Sequence, residues 1–486
     1  MRRQIACMTA AVLWSAAAGF AQLQAVQSTA PAASALAPTA RLVKLDAAAK
    51  AAPEHALDYQ LLPGMLERKA GNAALQYLAI LERTPKFEEG ATQRLRAWIK
   101  APAASLPPEA GQMASEPWLK DLAAAARRDE CDWQLPIREQ GIALWIPTLS
   151  PYRNVGRLLA MKARVEMGQG RYVEAIEALK TSFSMSRDLA EMPTLMSGLV
   201  AMAVADTALD QVEELIRQPG GPNMYWALAS LPQPLVDLRK AFDGERSWLI
   251  IDLPDLRAAA RGEITKEQAA ETMRKIRGII GIARGEDESP RLEVGVALMT
   301  YAKAKEYLRD KGMAAGDVES LSVQQAVLMY LADTFFHVQD EMLKWHYLPY
   351  WQAHEGLRQA DRKLQQAVAS QPGNWLLMQL PSLGRASFMQ ARLDRRVAAL
   401  MCVESIRMYA AANDGKLPAS LDDLKDAPVP LDPVTGKALD YRPDGASFVI
   451  DCPAPSGMPA SDGVRYEVMI EPAKTPATTT QQGAQP

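Results

Sequence analysis

Histidine and cysteine are scarce in this chain, with four of each among 486 residues. No HExxH pair occurs among His55, His337, His346 and His354, and no third ligand follows any of them at a metal-motif spacing. A Gly-rich phosphate loop, a GxSxG elbow and a CxxC pair are missing too, which argues against nucleotide-dependent, α/β-hydrolase and thiol-redox chemistry. Neither charge dominates: 54 Lys and Arg stand against 57 Asp and Glu. No field steers a polyanion, and no basic patch marks a nucleic-acid partner. Outside Ile5–Phe20, no stretch reads as long and apolar enough to span a bilayer.

What is present at the start is a targeting pattern. Met1-Arg2-Arg3 is basic, Ile5–Phe20 is apolar apart from Thr9 and Ser15, and Gly19-Phe20-Ala21 ends in small residues. This predicts a secretory signal peptide over 1–21, export to the periplasm or the outside, and no stable membrane span after cleavage; the alternative is an uncleaved anchor. Cys7 lies inside the apolar run, so no lipoprotein site follows from it. Cys131, Cys402 and Cys452 remain after cleavage, an odd number that leaves at least one thiol free or paired between chains. Export permits a Cys402–Cys452 bridge; two buried thiols are the alternative.

An apolar share of 48% supplies a large core, and the length suggests two or three domains. Residues 22–45 are rich in Ala, Pro, Ser, Thr and Gln and read as a disordered linker; residues 472–486 read as a disordered tail. Between them the expected fold is mainly α. A multi-helical, all-helical body over 46–384 precedes a small α+β module over 385–471 with a short antiparallel sheet. In the body, Leu158, Leu159, Ala163 and Met167 form one apolar stripe, Gly168-Gln169-Gly170 turns the chain, and Tyr172, Ala175, Ile176 and Leu179 form the next. This unit resembles a tetratricopeptide helical hairpin. Only one copy matches, so the body is TPR-like and not an array. Pro219-Gly220-Gly221-Pro222 stops a helix, and Pro349 breaks the long stretch around it.

The module begins with a helix carrying two apolar stripes. Leu393, Val397, Leu400 and Met401 form one, and Ala399, Val403, Ile406 and Tyr409 the other. Two faces suit a helix wedged between the body and a sheet. Arg392, Asp394, Arg395 and Arg396 bar it from crossing a bilayer. Then come Asn413-Asp414-Gly415-Lys416-Leu417-Pro418, a short helix at Ser420–Leu424, Pro430-Leu431-Asp432-Pro433-Val434-Thr435-Gly436 and two strands near Tyr441 and Phe448–Ile450. That order resembles the C-terminal part of the pseudopilins, the type IV pilin-like subunits of type II secretion. Pro222–Leu228 and Pro234–Arg239 are similar to segments of secreted bacterial proteins that end in such a block. The resemblance implies a fold and no activity. It also implies calcium as a candidate cofactor, in the loop Asp451–Gly463. Asp451 and Asp462 are thin for a cation wanting six to eight oxygens, and an Asx turn at Ser461-Asp462-Gly463 is the alternative.

Three constellations remain. His337 and Glu341 are spaced to share a metal on one helix face, or are ordinary helix residues. Asp206 and Asp210 form a carboxylate pair fit for acid–base work, or pair with arginine. Trp345, His346, Tyr347, Tyr350 and Trp351 are either core anchors at a kink or a platform for stacking sugars. The expected function is a non-enzymatic exported scaffold binding an unidentified protein of the cell envelope. The alternative is an exported carbohydrate-binding or carbohydrate-processing protein. It uses Trp345, Tyr350, Trp351 and His354, with His337, Glu341 or His354 moving protons. It requires the aromatic rings to line an open cleft. A third reading is a pilus-related subunit.

Overall fold

The computed structural model describes residues 40–84, 88–141, 149–284, 290–371 and 373–471. The expected signal peptide and C-terminal tail lie outside them. Eight helices of 19 to 30 residues form the frame among the described residues: α1 (Ser150–Gly168), α2 (Tyr172–Ala190), α3 (Leu195–Arg217), α4 (Lys266–Arg284), α5 (Pro290–Asp310), α6 (Val323–Leu343), α7 (Tyr350–Ser370) and α8 (Leu383–Ala412). Gly170, at φ 73°, turns α1 into α2, and both pack on α3. By length and composition α3 passes for a membrane span, which the sequence reading did not anticipate; 67% of its apolar window is buried inside the protein. Pro349 caps the start of α7, since its fixed φ suits a helix entrance and its missing N–H forbids continuation of α6.

Two large hydrophobic cores result, beside a small cluster of Phe388, Ala391 and Val434. One large core surrounds the first part of α6, whose Leu328, Tyr330 and Phe335 pack with Ile276 of α4, Ala304 of α5 and Leu256, while Val338, Met342 and Leu343 at its end belong to the other. A Ser322–Gln325 capping box fixes the start of α6. The other core joins α1–α3 to the C-terminal module without a break: Leu209 and Val212 share it with Leu400, Val403, Phe448, Ile450 and Tyr466. The division near residue 384 is therefore not a boundary between cores.

Both stripes of α8 are buried, apart from the partly buried Tyr409, so the helix is wedged as its pattern suggests. Four of its charged residues are buried as well. Arg395, Arg396, Glu404 and Arg407 are each 2% exposed or less, and each has an ion-pair partner because an unpaired charge at that depth is prohibitive. Arg396 meets Asp206, Asp210 and Glu213 of α3, and Tyr466 donates to the same Glu213 at 2.9 Å. Asp206 and Asp210 are thus arginine partners. Burial opposes ionisation of Asp206, but the charge and hydrogen bonds of Arg396 outweigh it and hold its pKa below the usual carboxylate range.

The sheet differs from expectation. Its order is β1 (Arg41–Ala48), β6 (Val464–Glu471), β5 (Ser447–Cys452), β4 (Asp440–Asp444), and β1 runs parallel to β6. The sheet is mixed, not antiparallel only, and residues 41–45 form a strand where a linker was expected. Val43, Leu45 and Ala47 alternate inward with polar neighbours outward, the period of a half-buried strand. Arg217 donates to Lys44 O at 2.9 Å and Arg407 to Ala48 O at 2.9 Å, closing the outer edge of β1. Pro443 and flanking charges guard the other edge. The body is not all-helical either: β2 (Lys69–Asn72) and β3 (Arg128–Glu130) form a small parallel pair.

Candidate functional site

The kink at Pro349 and the first half of α8 enclose a cleft of about 560 Å³. One wall is the segment Gln233–Arg239, another is the turn Lys344–Tyr347 with the start of α7, a third is the loop Pro430–Gly436, and α8 forms the floor. The loop wall is fixed by Asp432. Arg395 grips its two oxygens at 2.8 and 2.7 Å, the Val434 N–H donates to Oδ1 at 2.9 Å and the Thr435 hydroxyl to Oδ2 at 2.9 Å. The Asp-Pro-Val-Thr-Gly stretch is therefore a turn locked onto α8 by a bidentate pair.

Two glycines set the tryptophans. A Cβ on Gly356 would fall 2.3 Å from the Trp345 ring, and one on Gly436 would fall 2.6 Å from the Trp351 ring; Gly436 also holds φ at 68°, costly for other residues. Trp345 is partly buried, with Lys344 Nζ 5.3 Å from its centroid. Trp351 is 42% exposed and Tyr347 67% exposed. Gly356→Ala is expected to displace Trp345 and cost about 1–3 kcal/mol by overpacking, read as a lower unfolding temperature with an altered near-UV circular dichroism band.

The floor carries a helix face of Ser387, Gln390, Ala391 and Asp394. The Leu235 N–H donates to Asp394 Oδ1 at 2.9 Å and the Leu238 N–H to Gln390 Oε1 at 3.1 Å, so α8 also anchors the Gln233–Arg239 wall. Burial pushes the Asp394 carboxyl up to about 7, against the lowering effect of the Leu235 bond. His346 stacks on Phe242, with centroids 3.8 Å apart, and its Nδ1 lies 2.7 Å from Ser387 Oγ. Burial lowers its pKa to about 4, so the imidazole is neutral. Its Nε2 is sealed from solvent with no hydrogen-bond partner among the described residues.

A carboxyl whose pKa is higher folded than unfolded binds protons more tightly in the fold. Its stabilising contribution is present at low pH and is lost as pH rises from the ordinary value near 4 through about 7. Asp394→Asn keeps an acceptor for Leu235 and removes this loss. The variant is expected to exceed the native protein by about 1–2 kcal/mol at pH 8, with discount for cleft water, and to match it near pH 4. Urea unfolding across that range checks it. Asp188, also raised to about 7 by burial, leaves a similar slope in both proteins.

No protein-family model, curated protein or solved structure matches this chain.

The expected site residues divide. Trp345, Tyr350 and Trp351 line the cleft together. His354 does not; it is exposed on α7, its Nδ1 3.1 Å from Trp351 O. His337 is exposed on α6, and Glu341 is paired with Lys344 and Lys363, which hold it down at about 2. None of these three faces the cleft, so the proton-transfer roles considered for them fail. Asp462 is buried between Arg385 and Arg392, and Asp451 pairs with Arg442 at 2.9 Å. Arginines hold both oxygens of Asp462 and one of Asp451, and no group of three His, Cys, Asp or Glu that could hold a metal forms among the described residues. Cys402 and Cys452 are free and buried, and burial raises both pKa values, that of Cys452 to about 12. Sequence reasoning missed Asp394 and Gln390; their only signal was a polar residue spaced at i, i+4 in a helix with two apolar faces.

Proposed function

We propose that this is an exported glycan-binding protein whose ligand stacks on Trp351 and Tyr347 in the aromatic cleft. The observation that carries the reading is the open ring of Trp351 beside a floor of hydrogen-bonding side chains. A flat apolar face plus a few convergent polar groups is the chemistry that holds a sugar ring. The pseudopilin-like module serves here as a wall, since its Asp432 turn places Gly436 under Trp351. The TPR-like hairpin supports the body rather than presenting a groove. It is covered by α3 on one side and by Glu89–Trp98, Pro108–Ala114 and Trp118–Ala125 on others. A glycan array probed with the native chain and with Trp351→Ala tests this. Retention of a glycan class by the native protein and its loss in the variant is expected; identical patterns would contradict it.

A second reading, an envelope scaffold, is favoured by one different feature. Leu57, Met65 and Leu66 are 63%, 91% and 99% exposed on the segment before β2. Apolar side chains held that far into water fit a protein partner. Cross-linking at position 66, with partner loss in Leu66→Asp, tests it.

A further inference from the structure

Among the described residues, the charged side chains that line the cleft are paired within the protein with one exception. Asp237 accepts from Arg239 through both oxygens. Asp432 is saturated by Arg395, Val434 and Thr435. The nearby cations are likewise committed: Arg385 and Arg392 to Asp462, Arg396 to the α3 carboxylates, Lys344 to Glu341. His346 is neutral and bonded to Ser387. Asp394 is the exception. Only Oδ1 has a partner among the described residues, a backbone N–H, and no side-chain cation pairs with it. Gln390 likewise spends Oε1 on Leu238 and leaves its amide nitrogen unused among the described residues.

Resting on the glycan reading, we propose that the cleft selects glycans bearing a free amino group, the ammonium pairing with Asp394 while the ring lies on Trp351. A half-buried carboxylate without a counter-ion is costly, and a ligand ammonium supplies the missing charge as a charge-assisted hydrogen bond. The faces of Trp351 and Tyr347 attract the same cation. An acidic sugar would be repelled, and an N-acetylated one would leave the carboxylate uncompensated. Burial raises the Asp394 carboxyl, and an ammonium beside it would favour the ionised form.

The test is calorimetric titration of the full chain at neutral pH with three hexasaccharides: glucosamine, N-acetylglucosamine and glucose, all β-1,4-linked. The glucosamine oligomer is expected to bind at least about tenfold more tightly than the others. Asp394→Asn should bring it to their level, while Trp351→Ala weakens whatever binds. Circular dichroism of Asp394→Asn establishes that the variant is folded. Equal affinity for the three, or no change in Asp394→Asn, overturns the selectivity and leaves glycan binding standing. Binding of other array glycans but none of these three also overturns it. Absence of any glycan binding overturns both.

Discussion

Replacing Arg396 by alanine is expected to lower the unfolding free energy by about 3–5 kcal/mol, the cost of stranding buried charge. The guanidinium is buried between α8 and α3 and is shared by Asp206, Asp210 and Glu213. Glu213 is itself only 3% exposed, so its charge has no route to bulk water once Arg396 is gone. Arg41 at 2.8 Å and Tyr466 at 2.9 Å remain to it, which limits the loss. Arg396→Met combined with Asp206→Asn and Glu213→Gln should recover most of the stability, because it strands no buried charge; Asp210, 34% exposed, keeps Arg41. Urea unfolding of the single and combined variants decides it. A loss below about 1 kcal/mol for Arg396→Ala would place the network among the weak surface pairs.

The second large effect concerns β1. A chain beginning at Lys50 is expected to lose about 3–6 kcal/mol from Val43 and Leu45 alone. Both are nearly fully buried, at 4% and 1% exposure. Removal also bares the edge of β6, a template for intermolecular pairing. It further takes Arg41 from Glu213 and the Ala48 carbonyl from Arg407. Hydrogen exchange should show β6 amides losing protection while those around Leu328 and Tyr330 of α6, in the separate core, keep theirs. Unchanged protection of β6 would mean that β1 is an accessory strand. The connection between these parallel partners is most of the molecule, far beyond the usual single-helix crossover.

That topology explains what could be read from the sequence. The α1–α2 turn, the break at Pro349 and the wedge of α8 are local patterns: a glycine turn, a proline, a stripe repeated every three or four residues. Strand β1 carried a fair alternation in Val43-Lys44-Leu45-Asp46-Ala47, yet it adjoins an Ala- and Pro-rich stretch, and its pairing partner stands at the far end of the chain. The cleft was half legible. The aromatic cluster stood out, but whether its rings were core or surface depends on Gly356 and Gly436, and the latter arrives from a distant loop. Asp394 needed the fold itself, since its character comes from the Gln233–Arg239 wall laid over it.

The most direct measurement is the binding enthalpy of the best array glycan titrated into the native chain, then into Trp351→Ala and Gly436→Ala. Trp351→Ala removes the exposed ring; Gly436→Ala pushes that ring from its seat without removing it. A loss of about tenfold or more in affinity for both variants, with their folds intact, is the predicted result. Native affinity in both variants would contradict the assignment of the aromatic cleft as the glycan site.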